Sequence, residues 1–145
     1  DGSTLAAARL AAPDGPGSVE ILAEPISKEP LAPVVLNTDR EWVTVVRWVL
    51  YALIMAEEHG ATRDNVEAVV AGARTPLSRL MGDQRTVLAH SLGLTSGWAI
   101  RAVKAVGNYG EMYERNVGTG SPLAIERGPN RLWTEGGLMY APPID

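Results

Sequence analysis

The side chains able to do chemistry in this sequence are few, and their spacing scatters them. His59 and His90 are the only histidines. They lie far apart in the chain with no His-x-x-x-His spacing, so no metal site is expected. His59 better suits a helix C-terminus, where an imidazole meets unsatisfied carbonyls. Glu57-Glu58 and Glu111/Glu114 are carboxylate pairs of the kind acid–base catalysis uses. They fall at helix ends and on expected exposed faces, where solvated charge is their ordinary role. Gly118-Thr-Gly-Ser-Pro122 has glycines and hydroxyls but lacks the lysine and the strand–loop–helix order of a phosphate loop, and reads as a turn. Ser3, Ser91 and Ser121 have no nucleophile-elbow context. Trp42, Trp48, Trp98 and Trp133 could stack a ligand, but in a chain without phenylalanine they are more simply core aromatics. The residues alone describe no enzyme and call for no cofactor.

Composition narrows the remaining classes. At 145 residues the chain suits one domain, and 46% apolar with 21% charged residues is globular. The net charge of −4 comes with no Lys/Arg run, which excludes nucleic acid as an expected partner. Without cysteine there are no disulfides, thiolate chemistry or cysteine-based zinc sites. No basic-then-apolar leader follows Asp1, so an exported protein would need one upstream.

The elements that must position these residues are mostly helical. Asp1 is a suitable N-cap for an Ala-rich helix through Leu10, which Pro13-Asp-Gly-Pro-Gly17 ends. Val19–Ala23 and Leu31–Leu36 read as short strands, with Pro25, Pro30 and Pro33 confined to edges. Thr38-x-x-Glu41 reads as a capping box and Gly60 as a stop, enclosing about 22 residues or about 33 Å of helix. Its stripe of Trp42, Val45, Val46, Val49, Leu50, Leu53 and Ile54 predicts a central buried helix. The apolar run is ~15 residues where ~20 are needed to span lipid, and Arg47 interrupts it. Short helices are predicted from Thr62 or Asp64 to Gly72, from Thr75-Pro76 to Met81 and over Gln84–Leu92. Thr95 is the expected cap of a helix through Val106, with Trp98, Ala102, Val103 and Val106 inside and Arg101 and Lys104 wet. Gly107 suits the positive-φ position beyond that helix, and Asn108/Glu111 has capping-box spacing for a second short helix ending at Gly118. The tail is broken by Pro and Gly, yet Leu123, Ile125, Leu132, Trp133, Leu138, Met139 and Tyr140 predict that it packs along the body, with a helical turn at 130–134.

Tyr109-x-x-Met112-Tyr113 with its flanking glycines resembles the C-terminal signature of amino-acid-binding proteins of bacterial ABC importers. Gly120-Ser-Pro-Leu123, Glu126-Arg-Gly128, Asn130-Arg-Leu-Trp133 and Gly136-Gly-Leu-Met-Tyr-Ala-Pro-Pro143, with Ile26-Ser-Lys-Glu-Pro-Leu31, are similar to the general L-amino-acid-binding branch. That branch also carries extra helices where residues 61–94 lie here. The resemblance covers nearly the whole chain, but only about the C-terminal half of such a protein. It implies an α/β, predominantly helical chain with a partial type II periplasmic-binding-protein-like fold. Residues 1–25 would end the second lobe, 26–36 would be a hinge crossing strand, and 37–145 would be the helical part of the first lobe with a wrapped tail.

The resemblance also assigns Asp1 a role. Asp1-Gly-Ser-Thr-Leu5 matches a family pattern in which the Asp faces the cleft and pairs with the ligand's α-ammonium. An ammonium leaving water needs such an anionic partner. The N-cap role stands beside this one. The implied partners are an L-amino acid, bound only with the missing N-terminal half, and a membrane permease; the implied compartment is the periplasm. With two short strands and exposed apolar surface, the lone chain is expected to self-associate. The alternative is a truncated helical interaction module that binds no ligand.

Overall fold

The computed structural model describes residues 1–27, 29–72, 76–81 and 87–143. The helices are α1 (Gly2–Leu10), α2 (Arg40–Glu58), α3 (Val66–Gly72), α4 (Pro76–Met81), α5 (Val87–Ser91), α6 (Trp98–Val106) and α7 (Tyr109–Asn116), with 3₁₀ turns at Pro16–Ser18, Gly128–Asn130 and Trp133–Glu135. The chain divides into two units: Asp1–Pro33 with Tyr113–Arg127, and Val34–Met112 with Gly128–Asp145. No helix among the described residues is long and apolar enough to cross a membrane.

The core of the second unit is helix on helix. α2 packs on α4 and α6, and α3 packs on both of these. Ala52, Leu53, Met55 and Ala56 of α2 meet Val66 and Val70 of α3, Leu77, Leu80 and Met81 of α4, and Trp98, Ala99 and Val103 of α6. Leu77 is fully buried and Leu80 is 2% exposed. Each such side chain contributes roughly 1.5–3 kcal/mol of burial energy. The central-helix expectation therefore holds for only half of α2. Residues 52–56 are buried, whereas Val45, Val46, Val49 and Leu50 are half-buried and Trp42 is 53% exposed. The apolar stripe is longer than the part of it that this chain covers.

Two helix starts differ from expectation. α2 is capped one residue later than expected: the Asp39 carboxylate, not Thr38, accepts from the Trp42 amide at 2.9 Å. α6 begins after Gly97, which sits at φ +73°, and Thr95 is no cap. The Thr95 hydroxyl instead accepts from Arg101 Nη2 at 2.5 Å, while Arg101 Nη1 donates to the Ser96 carbonyl at 2.6 Å. The Arg101 guanidinium thus ties down the loop that Thr95 would have capped. Ahead of α3, Asn65 is the organising side chain. It accepts from the Thr62 amide at 2.6 Å and donates to the Gly60 carbonyl at 3.1 Å. Thr75 and residues 82–86, on which parts of the predicted helices fall, lie outside the described residues.

The break between α6 and α7 forms as its spacing predicts. Gly107 adopts φ +84°, and a Cβ there would stand 2.8 Å from Glu111 Cβ, so only glycine fits. Glu111 N donates to Asn108 Oδ1 and Asn108 N to Glu111 Oε2, both at 2.8 Å. Asn108 is 6% exposed, and its Nδ2 donates to the Ala61 carbonyl at 2.8 Å.

The tail of this unit is a tight double-back. Trp133 N donates to the Met139 carbonyl at 2.9 Å and Met139 N to the Arg131 carbonyl at 3.1 Å, beside the isolated bridge between Leu132 and Met139. Leu132 is buried at 5% exposure and Ala141 packs against the core. Trp133, Leu138 and Tyr140 stay more than 60% exposed, so the tail packs through fewer apolar groups than its composition predicts.

In the first unit, α1 carries the Asp1 cap, and Tyr113–Arg127 forms a closed loop. Ile125 N donates to the Val117 carbonyl at 2.9 Å, and Tyr113 Oη to the Glu126 carbonyl at 3.1 Å. The predicted strands do not form. Val19–Ala23 and Leu31–Leu36 lie outside any ladder among the described residues, although Val19 itself is extended at φ −131°, ψ 144°. A strand needs a neighbour for its amides and carbonyls. The β side of the expected α/β class is thus corrected, and the predominantly helical side stands. Leu22 and Leu31 are 77% and 76% exposed, and Val34 and Leu36, which open the second unit, are 95% and 78% exposed.

Candidate functional site

Asp1 sits at the head of α1. Its Oδ1 accepts from the Thr4 amide at 2.8 Å and from Ser3 Oγ at 2.7 Å, the geometry of an N-cap. The side chain is 22% exposed, and the α-ammonium of the same residue pairs with Glu29 at 3.0 Å rather than with its own carboxylate. The cap is therefore in place. It uses one carboxylate oxygen.

Of the other carboxylates singled out by spacing, Glu58, Glu111 and Glu114 accept hydrogen bonds from backbone amides, a hydroxyl and an indole N–H. Glu111 Oε2 accepts from Asn108 N and also from Arg63 N at 3.1 Å, and Arg63 Nη2 donates to the Ala105 carbonyl. These bonds join the loop after α2 to the α6–α7 break. Glu114 Oε2 accepts from Thr119 Oγ1 at 2.7 Å and Thr119 N at 2.9 Å. The Thr119 hydroxyl, then the Thr119 amide, hold the Glu114 carboxyl below the usual glutamate range; desolvation opposes them, and the Arg127 charge adds a smaller lowering. Gly118 makes this closure possible, because a Cβ there would lie 2.6 Å from Glu114 Cα. Glu58 Oε1 accepts from Trp133 Nε1 at 3.1 Å and Ala141 N at 3.3 Å, fastening the tail to the end of α2. Helix spacing gave no sign of the Glu58, Arg63 and Thr119 links, because each closes a loop whose path the sequence does not state.

The tryptophans are not one platform. Trp98 is in the core, Trp48 is half-buried and meets Tyr51 edge-on at 5.7 Å, and Trp42 and Trp133 are 53% and 61% exposed. The reading of all four as core aromatics holds only for Trp98 and, in part, Trp48. His59 caps the end of α2 through its amide, which donates to the Met55 carbonyl at 3.1 Å, and His90 is exposed at the end of α5. Among the described residues no group of three His, Cys, Asp or Glu side chains could hold a metal ion.

No family model matches the chain. Individual proteins do. The chain is 50% identical over 125 residues to the general L-amino acid-binding periplasmic protein AapJ of Rhizobium johnstonii, covering 86% of this chain and 37% of that one. The chain is homologous to amino-acid-binding proteins of ABC transporters. The glutamate/glutamine/aspartate/asparagine-binding protein BztA of Rhodobacter capsulatus is 46% identical over 145 residues, 99% of this chain and 42% of BztA. The putative amino-acid ABC transporter-binding protein YhdW of Escherichia coli K12 matches to the same extent. Among solved structures, an ABC transporter periplasmic binding protein from Brucella ovis with glutathione bound superimposes with a TM-score of 0.88 at 45% identity, over 97% of this chain and 44% of that one. This chain spans about two-fifths of the length of the binding proteins it matches. These relatives are binding proteins rather than enzymes, in line with a sequence that offers no catalytic set.

Proposed function

We propose that this chain is the C-terminal portion of a periplasmic amino-acid receptor, which binds L-amino acids together with an N-terminal portion and delivers them to an ABC permease. The observation that carries the reading is the TM-score of 0.88 at 45% identity, over 97% of the chain, to a periplasmic binding protein. Residues 1–25 then belong to the second lobe, 26–36 to a crossing between lobes, and 37–145 to the first lobe. The exposed side chains of Leu22, Leu31, Val34, Leu36 and Trp42 are among those that the remaining portion covers. Left uncovered, that surface favours association between copies of the chain.

In this reading Asp1 faces the ligand's ammonium. Its N-cap bonds agree with that role, because they fix the carboxylate through Oδ1 alone. The test uses a chimera that joins the part of BztA unmatched by this chain to residues 1–145. Asp1→Asn keeps an Oδ1 acceptor for the cap and removes the charge. It should weaken amino-acid binding by about 2–5 kcal/mol, since the ammonium is left without its counter-charge. Analogues lacking the amine should lose much less. Equal binding by the Asn variant would remove Asp1 from the site.

A further inference from the structure

An open groove of about 510 Å³ lies where the end of α2 meets the tail, bounded by Met55, Glu58, His59, Trp133, Tyr140 and Ala141. That volume is in the range of small-molecule sites. Trp133 and Tyr140 are 61% and 62% exposed, yet they stand on the most tightly bonded stretch of the tail. Gly137 approaches the Arg131 backbone so closely that a Cβ would fall 1.9 Å from its carbonyl oxygen. The rings are therefore held by a fixed backbone while remaining open to solvent, a preorganised surface. Beside them Glu58 is anchored through Oε1 by Trp133 Nε1 and Ala141 N. Among the described residues no Lys or Arg lines the groove.

The geometry points to a binding site for a small organic cation, of the tertiary or quaternary ammonium class. Aromatic faces attract such a cation through the ring quadrupole, the carboxylate supplies the opposite charge, and the apolar floor takes the alkyl groups. A free amino acid fits poorly, because its own carboxylate would face Glu58. This site is thus separate from the amino-acid site proposed above and does not depend on it.

The test is ligand-detected NMR on the 145-residue chain, titrated with choline, its neutral isostere 3,3-dimethyl-1-butanol, and zwitterionic glycine betaine. Choline should bind saturably and about tenfold or more tighter than either comparator. Glu58→Gln retains the acceptor for Trp133 and Ala141 but not the charge, and should bring choline down to the isostere's level. Tyr140→Leu, which leaves the Trp133 and Ala141 bonds to Glu58 in place, should weaken choline similarly while the melting curve stays in place. Equal binding of all three ligands, no saturable binding of choline, or full choline affinity in Glu58→Gln would each overturn the assignment.

Discussion

Asn108 and Glu111 satisfy each other's backbone amides at 2.8 Å in both directions, and Asn108 alone reaches on to the Ala61 carbonyl. Asn108→Ala removes a helix cap and leaves a buried carbonyl without a donor. The loss should be about 2–4 kcal/mol of unfolding free energy, combining a cap of ~1 with a buried hydrogen bond. Asn108→Asp, which keeps the acceptor and drops the donor, should fall between wild type and Ala. Urea denaturation of the three proteins checks the order; an Ala variant as stable as wild type would make this junction incidental.

Burial separates two apolar residues that the sequence treats alike. Leu77 is fully buried among α2, α3 and α6, and Trp42 is 53% exposed on the same unit. Leu77→Ala should cost about 3–5 kcal/mol through lost transfer energy and the cavity left behind. Trp42→Ser should change stability by no more than about 0.5 kcal/mol and lower any self-association seen by sedimentation velocity. A large loss of stability on Trp42→Ser would mean that the first half of α2 is already covered.

The Glu114 carboxyl is held low by the Thr119 hydroxyl and amide, with help from Arg127. A carboxylate whose folded pKa lies below its unfolded value adds stability above the unfolded value, about 4.3 for Glu. That contribution is lost as pH falls through the lowered folded pKa. Thr119→Val deletes the hydroxyl donor and should raise the Glu114 pKa toward the ordinary range. Carbon-detected NMR titration of the Glu114 carboxyl measures it. An unchanged midpoint would show that the hydroxyl does not set it.

Much of the helical framework was legible because it is local. Asp1, Gly60, Gly107 and the Asn108/Glu111 box announce helix ends within four residues of themselves, and each is found where the spacing places it. Thr95 failed as a cap because Arg101, six residues on, holds it, and Thr38 failed because the neighbouring Asp39 accepts the amide better placed for capping. The strands failed for a non-local reason: the pattern of Val19–Ala23 is adequate, but no partner strand exists among the described residues to complete a ladder. The role of Asp1 came from a family likeness. Its local chemistry says only that it caps α1.

The proposal that ligand binding needs a further N-terminal portion is open to direct measurement. Titration calorimetry would compare the isolated 145-residue chain with the BztA chimera against a panel of L-amino acids. The chimera should bind one or more of them in a saturable manner. The isolated chain should show no heat of binding, because a lone exposed ion pair at Asp1 contributes only about 0–1 kcal/mol. Micromolar binding of an amino acid by the isolated chain would contradict an incomplete site, and a folded chimera that binds none would contradict the receptor reading.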